Sequence, residues 1–568
     1  MNTNPLVARL EAAFRSVMGI PKFRSAVEVP EKMEMVRPSD RPDLGDFQSN
    51  IAFPLGKGMK KSPMEAAGEI AMEITPLLPF AEVSVVKPGF VNIRLSRGFV
   101  EEALNGIVNK PGLGLEKAKK RLKIVVDYGG PNVAKTLHVG HLRPAIIGEA
   151  MKNLARFLGH EAIGDVHLGD WGLPMGMLIA AVKEDGIDLS RLTADGLGAL
   201  YPKASERAKT DAAFAARAAE ETKKLQDGDA ENRKIWQGFV AVSVEDIKKA
   251  YNILGVEFDL WLGESDAGAS AGLLADRFAE SGVSRASDGA EIIDIGEYPF
   301  KGSAPPPFMV RKSNGALVYG MTDLGTIYDR AGSMDPDLIF YHTDARQSLH
   351  FHQVFSVADK TGIMPRSKLE HLPHGNILDE GRRPLKTRDG GTLPLMELIG
   401  EAVGRAAAKS ASAATARAVA VAAIKFADFI NPREGDYVLN LDKFASFEGK
   451  TGPYVLYTAV RIKSLLGKAR AERPYRIRLD NGYDAALAVH LCGFADAVEK
   501  SFEHRALNIL TQYVYELCVR FGALYHNCKI LAEPDAGLRD SWLALAKVSL
   551  DCIESWAGIT KIEIPGEM

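Results

Sequence analysis

Residues 123–159 constrain the fold more tightly than any other segment. KIVVDY is a short apolar run of strand character, GGPNVAKTLHVGH is a glycine-rich loop, and LRPAIIGEAMKNLARFLG follows with helical periodicity. Leu142, Ile146, Ile147, Ala150, Leu154 and Leu158 fall on one stripe of that helix. Pro144 is tolerated because it lies in the first turn, and Gly159 stands where a C-terminal cap belongs. Strand, glycine loop and helix in this order form the opening unit of a nucleotide-binding parallel sheet.

The loop carries His138-Val139-Gly140-His141 at the strand-to-helix turn. Histidines three apart at a helix start can point the same way, and Gly140 removes the side chain that would hold a flat adenine ring away. Unpaired backbone N–H groups and the helix dipole add positive potential for phosphates.

With 568 residues the chain exceeds a single core, which predicts three or four domains. Hydrophobic residues at 46% and charged residues at 25% exclude a disordered or fibrous chain. No apolar run reaches membrane-spanning length, and residues 1–20 read as an amphipathic helix, not as a secretory signal. Cys492, Cys518, Cys528 and Cys552 show no metal-ligand spacing, so free thiols in a reducing cytoplasm are expected. A net charge of -3 gives no global signature of RNA binding. Local basic stretches do occur, at Lys117, Lys119, Lys120, Arg121 and Lys123, and again from Arg461 through Lys463, Lys468, Arg470, Arg473 and Arg476 to Arg478.

Ahead of the central unit, MEAAGEIAMEI reads as a helix, and VSVVKPGFVNIRLS alternates around a Pro-Gly turn like a hairpin. Beyond about residue 400 the pattern is almost wholly helical.

DYGGPNVAKTLHVGHLRPAIIGEA resembles the signature segment of class I arginyl-tRNA synthetases of bacterial type. The resemblance continues in order through HLGDWGLPMGMLI, GVEFDLWLGES, RKSNGALVYGMTDLGTIYDR and YHTDARQSLHFHQVF. It takes in LGDFQSNIAFPLGK and VKPGFVNIRL upstream and SFEGKTGPYVLYTAVR downstream. It implies an α/β protein with a Rossmann-type parallel-sheet catalytic domain, an N-terminal α+β domain and a C-terminal all-helical anticodon-binding bundle. The expected parts are residues 1–115, a tRNA-contacting domain; 116–405, the catalytic domain with helical insertions; 406–450, a connecting helical region; and 451–568, the anticodon-binding bundle.

The implied reaction is activation of L-arginine with ATP to arginyl-adenylate and pyrophosphate, then transfer to arginine tRNA. In the family, activation waits for bound tRNA. The alternative is a paralogue that binds tRNA without aminoacylating it. The resemblance gives Lys135, His138, Gly140 and His141 to ATP binding, and both histidines to catalysis. Where the family's KMSKS motif stands, the chain has Lys386-Thr387-Arg388. The missing second lysine passes its role to Lys135, with Lys386 and Arg388 retained as catalytic candidates.

The resemblance also implies arginine binding by Asp127, Asn132, Tyr319, Asp323 and Gln347: it carries the planar paired acceptors that a guanidinium needs onto Asp127 and Asp323, and places Asn132 and Gln347 at the α-amino and carboxylate end of the substrate. Tyr319 and Asp323 are four residues apart, one helical turn. Carboxylates at Asp127 and Asp323 facing one pocket would repel each other until a cation arrives. Tyr525 is the expected tRNA-stacking aromatic. His350 and His352 could share a strand face, but no third ligand accompanies them, so no protein-held metal is expected beyond Mg2+ riding on ATP. A cytoplasmic monomer is expected. The chain departs from the family at Gly129-Gly130, where serine is usual, at Leu456 in place of glutamine, and at Ser541-Trp542 in place of an arginine-leucine pair.

Overall fold

A computed structural model of the chain describes residues 3–31, 33–385, 392–408 and 410–568. The chain forms two compact units. One comprises Met1–Glu116, Tyr454–His504 and Ile509–Trp556; the other comprises Lys117–Pro453, Arg505–Asn508 and Ala557–Met568.

In the first unit, the helix Pro5–Met18 starts where the Asn4 side chain accepts from Leu6 N at 3.0 Å, with proline at its first position. It buries Leu6, Val7, Leu10, Phe14, Val17 and Met18, the expected apolar stripe, each worth roughly 1.5–3 kcal/mol when fully covered. Strands β1 (Arg37–Pro38), β2 (Phe47–Ser49), β3 (Ala81–Val86) and β4 (Phe90–Leu95) pair antiparallel in the order β1-β2-β4-β3. β3 and β4 are the hairpin read around the Pro-Gly turn. Between β2 and β3 the helix Pro63–Ile74 opens with a capping box of Ser62 and Glu65.

The helices Gly482–Leu491 and Phe494–Glu503 belong to the same unit. It also takes in most of the helices Gly452–Lys468, Leu507–Asn527 and Ala536–Thr560. Amide side chains join the N-terminal residues to the non-helical segment between the helices Gly452–Lys468 and Gly482–Leu491. Asn105 Nδ2 donates to Ile477 O at 2.9 Å and its Oδ1 accepts from Ile477 N at 2.8 Å, and Asn109 does the same with Tyr475. All four cysteines are buried free thiols.

Two of the departures from the family, Leu456 and Ser541-Trp542, are absorbed by local packing. Leu456 is fully buried. Ser541 Oγ accepts from Arg478 N and donates to Arg478 O, and Trp542 Nε1 donates to Asp484 at 3.0 Å.

The second unit is built on a parallel sheet. β5 (Lys123–Tyr128) is its middle strand, flanked by β6 (Glu161–Leu168) and then β7 (Leu260–Gly263) on one side. Between β7 and the next strand of this sheet come β8 (Arg285–Ser287), β9 (Ala290–Ile293) and β10 (Phe308–Arg311), a small antiparallel sheet. β11 (Leu338–His342) and β12 (Leu369–His371) complete the order β12-β11-β5-β6-β7. β5 is buried along nearly its whole length, which explains its unbroken apolar run. The strand order reverses beside β5, so the crevice at its carboxyl end is where such sheets bind ligands.

The helix Leu142–Phe157 crosses from β5 to β6 and buries the predicted stripe, with Gly159 just beyond it at φ +94°. It also buries Arg143, Glu149 and Lys152, which no apolar periodicity foretells. Arg143 Nε donates to Asp428 at 2.8 Å, and Lys152 Nζ donates to Glu149 at 2.9 Å. Between β6 and β7 an insertion supplies the helices Leu173–Asp185, Ala194–Thr210, Ala212–Asp227 and Ala230–Ile253. Residues 406–450 lie within this unit. Among the described residues, no helix is long and apolar enough to cross a membrane.

Candidate active site

At the carboxyl end of β5 the chain turns through the glycine loop into a short 3-10 turn, Val139–His141, which runs straight into the helix Leu142–Phe157. Gly140 N donates to His138 Nδ1 at 3.1 Å, and His138 N donates to His141 Nδ1 at 3.1 Å. The two rings stand 4.1 Å apart. Burial pushes the His141 pKa down to about 3, with the His138 charge acting next, and burial followed by Lys135 lowers that of His138. Both imidazoles are therefore neutral at neutral pH. With each Nδ1 accepting a backbone N–H, the ring protons sit on Nε2. The motif presents two uncharged N–H donors fixed by its own backbone.

A cavity of about 470 Å³ opens in front of them. Of the residues expected at the site, Asp127, His138, Gly140, His141, Tyr319, Asp323 and Gln347 line it. Asn132 and Lys135 do not: Asn132 bridges to Gly169, and the Lys135 ammonium lies 4.8 Å over the ring of Tyr201. Lys386 and Arg388 fall outside the described residues. Pro384, Leu385 and Thr392, which flank them, line the cavity.

The acidic end of the cavity differs from the sequence reading in its electrostatics. Tyr319 and Asp323 share the helix Tyr319–Ser333, one turn apart as expected, and Asp323 serves as no cap. His350 Nε2 donates to Asp323 Oδ2 at 2.5 Å. The Asp323 charge, followed by burial, raises the Tyr319 pKa.

Asp127 does not wait uncompensated for a cation, because Arg330 Nη2 donates to it at 2.7 Å and to Asp165 at 2.6 Å. Burial works against the Arg330 charge, but Asp127, Tyr341 and Asp165 hold its pKa above the ordinary value. The buried guanidinium thus partners Asp127 and is shared with Asp165.

The sequence reading missed Glu264, the first residue of the helix Glu264–Glu280, which neighbours Asp323 without itself lining the cavity. Burial, then Asp323 and Asp170, push its pKa up to about 7. Asp170, in the GDWG segment, accepts from Ser265 N at 3.0 Å and Ser265 Oγ at 2.6 Å, which fixes the start of this helix. The only signal available was its place in GVEFDLWLGES.

His350 and His352 lie on a helix, Ser348–Lys360, and not on a strand. His350 faces Asp323, whereas His352 Nε2 donates to Tyr298 O at 2.9 Å, so the two imidazoles serve different neighbours. Phe351, Val354, Phe355, Val357 and Ala358 carry the helical period that the HFH triplet disguised.

Family models match the chain in three stretches. Residues 103–441 match the catalytic domain of class I tRNA synthetases of the arginine type, residues 8–95 the arginyl-tRNA synthetase N-terminal domain, and residues 455–568 the DALR anticodon-binding domain. The chain belongs to the arginyl-tRNA synthetase family.

Arginine–tRNA ligase of Alkaliphilus oremlandii is 39% identical over 95% of this chain and 96% of its own length. Arginine–tRNA ligase of Francisella tularensis subsp. novicida is 38% identical with the same coverage. The fold resembles that of the arginyl-tRNA synthetases of Plasmodium falciparum and Thermus thermophilus. Their TM-scores are 0.79 and 0.76, each at 24% identity and covering 99% of this chain. The residues that match the anticodon-binding domain include the helix Leu507–Asn527, where Tyr525 is 37% exposed. Arg461 sits 5.0 Å over the Tyr525 ring and 4.5 Å over that of Tyr457, so one guanidinium of the basic stretch is drawn into an aromatic pair.

Proposed function

We propose that the chain activates L-arginine with ATP, releasing pyrophosphate, and transfers the arginyl group to the terminal ribose of arginine tRNA. One observation carries this reading: a pair of fixed neutral N–H donors and an acidic pocket around Asp323 share a single cavity.

In the first step an oxygen of the arginine carboxylate attacks the α-phosphorus. The bond from that phosphorus to the bridging oxygen breaks, and pyrophosphate leaves with the electron pair. Nε2–H of His138 and of His141 meets the charge that develops on the phosphoryl oxygens, at no cost in reorganisation. The magnesium ion arrives with ATP as part of the substrate. In the second step a ribose hydroxyl of the tRNA attacks the arginyl carbonyl and AMP leaves.

At the acidic end, Asp323 and Glu264 take the guanidinium, with Tyr319 one turn before Asp323 and Asp127 shaping the wall. Gln347 serves the α-amino and carboxylate end. Lys135 supplies the phosphate-directed cation that Thr387 cannot. Tyr525 stacks on an unpaired base of the tRNA.

The test is arginine-dependent pyrophosphate exchange with and without arginine tRNA. Exchange that needs both arginine and tRNA supports the reading. Robust exchange by RNA-free protein would refute dependence on tRNA, and no exchange under either condition would refute the activity itself.

A further inference from the structure

The loop ahead of the histidine pair is held from one side by the helical insertion between β6 and β7. Ala134 has φ +63°, a left-handed conformation that a residue with a Cβ occupies only when its surroundings hold it there. Its N–H donates to Ser243 Oγ at 3.0 Å, and Ser243 is buried on the helix Ala230–Ile253. Two residues on, the helix Ala194–Thr210 closes against Thr136. A Cβ at Gly198 would stand 2.8 Å from Thr136 Oγ1, so glycine is what allows the approach.

Between these two tethers Lys135 projects, and its ammonium rests 4.8 Å over the ring of Tyr201, also on the helix Ala194–Thr210. Among the described residues no carboxylate or carbonyl takes that ammonium. The lysine is close enough to the histidine pair for its charge to lower the pKa of both His138 and His141.

An aromatic face is a suitable rest for a cation that must act elsewhere. It attracts the charge through the ring quadrupole without neutralising it, and it leaves the three N–H donors unspent. A carboxylate in its place would compete with the phosphates.

We propose that the helical insertion is part of the activation machinery: Tyr201 is a positioning residue that holds Lys135 beside the histidine pair, on a loop pinned by Ser243 and by the close contact at Gly198. This rests on the reading of Lys135 as the phosphate-directed cation. Tyr201 does not line the cavity, and its role runs through the lysine.

The test measures tRNA-dependent pyrophosphate exchange by the full chain in the variants Lys135→Ala, Tyr201→Leu, Tyr201→Phe and Ser243→Ala, and in the double variants of Lys135→Ala with Tyr201→Leu and with Ser243→Ala. Loss of one cation–ring contact predicts that Tyr201→Leu lowers kcat by about three- to tenfold with the KM for arginine unchanged, while Tyr201→Phe, which keeps the face, stays within about twofold. In the Lys135→Ala background, Tyr201→Leu and Ser243→Ala should add nothing further, because both act through that lysine.

A slow Lys135→Ala beside a wild-type Tyr201→Leu of unchanged melting temperature overturns this inference and leaves the reading of Lys135 intact. Losses that multiply in the double variants also overturn it. Lys135→Ala within about threefold of wild type removes the reading itself, and the inference with it. Should Tyr201→Leu fail to fold, Ser243→Ala alone and with Lys135→Ala decides in the same way.

Discussion

Arg330 donates from Nη2 to Oδ2 of Asp127 across 2.7 Å, joining the helix Tyr319–Ser333 to the end of β5. The same nitrogen reaches Asp165 on β6, so one buried guanidinium serves two carboxylates on adjacent strands. Asp127 thus has a cationic partner, shared with Asp165, before any substrate arrives; in the function proposed above, selection for a cation then falls to Asp323 and Glu264.

Removing Arg330 leaves two buried carboxylates without a partner. Arg330→Met should cost about 3–5 kcal/mol in unfolding free energy, the usual penalty for breaking a buried pair from one side. Denaturant unfolding measures it. A loss below about 1 kcal/mol would mean that solvent or another group already compensates the two acids.

Asp323→Asn should weaken use of arginine by about 2–5 kcal/mol in kcat/KM while the KM for ATP stays near wild type, since truncating one member of a buried charge pair strands the other. It should also narrow the gap between arginine and citrulline, which has nearly the same shape without the charge. Activation of both amino acids by both proteins decides the matter. Equal damage to ATP use would place the guanidinium pocket elsewhere.

With Glu264 taking the guanidinium as proposed, arginine binding should depend on pH. Its folded pKa stands at about 7, above its ordinary 4.5, so between those values the native state holds a proton that the unfolded chain has released. The stability this confers is present below pH 4.5 and is lost as the pH rises through about 7. A guanidinium beside the carboxyl favours the ionised form and expels the proton. The KM for arginine should therefore fall by about tenfold from pH 6 to pH 8 and then level off. Glu264→Gln should flatten that profile, and an unchanged slope in this variant would assign the proton to another group.

Buried histidines set the acid limit. Burial is the first cause that lowers the pKa of His141 to about 3 and those of His371 and His374 to about 4. Below pH 6.5 the unfolded chain binds protons that these rings refuse, so their contribution is fully present above pH 6.5 and is lost as the pH falls toward 4. For His374, which is 6% exposed, the loss by pH 5 is at most about 2 kcal/mol. Urea midpoints at pH 7 and pH 5 test this, and His374→Gln should reduce the difference between them.

Tyr525→Ala should raise the KM for tRNA, because stacking on an unpaired base is worth roughly 1–3 kcal/mol, and leave the KM for arginine unchanged. Unchanged tRNA kinetics together with a lowered melting temperature would make Tyr525 a packing residue instead.

The strand, glycine loop and helix around His138 and His141 were legible in the sequence because each is a local pattern: an apolar run, residues that turn the chain, and a stripe at helical spacing. The same holds for Tyr319 and Asp323, one turn apart on a helix, and for the hairpin at Pro88-Gly89. His350 and His352 were misread because a triplet cannot distinguish a period of two from a period of 3.6, whereas the apolar residues after it could. What the sequence could not determine was which charges are already spent. Arg330 and Asp127 are 203 positions apart, and only the pairing of β11 and β6 on either side of β5 brings the guanidinium to both acids. Glu264 becomes an acid with a pKa near 7 because the helix that follows β7 buries it, beside Asp323 and Asp170, and Lys135 finds Tyr201 only because an insertion folds back over its loop. A residue's chemical type is written in the chain, but its charge state and its partner depend on burial and on long-range strand order, which only the folded structure supplies.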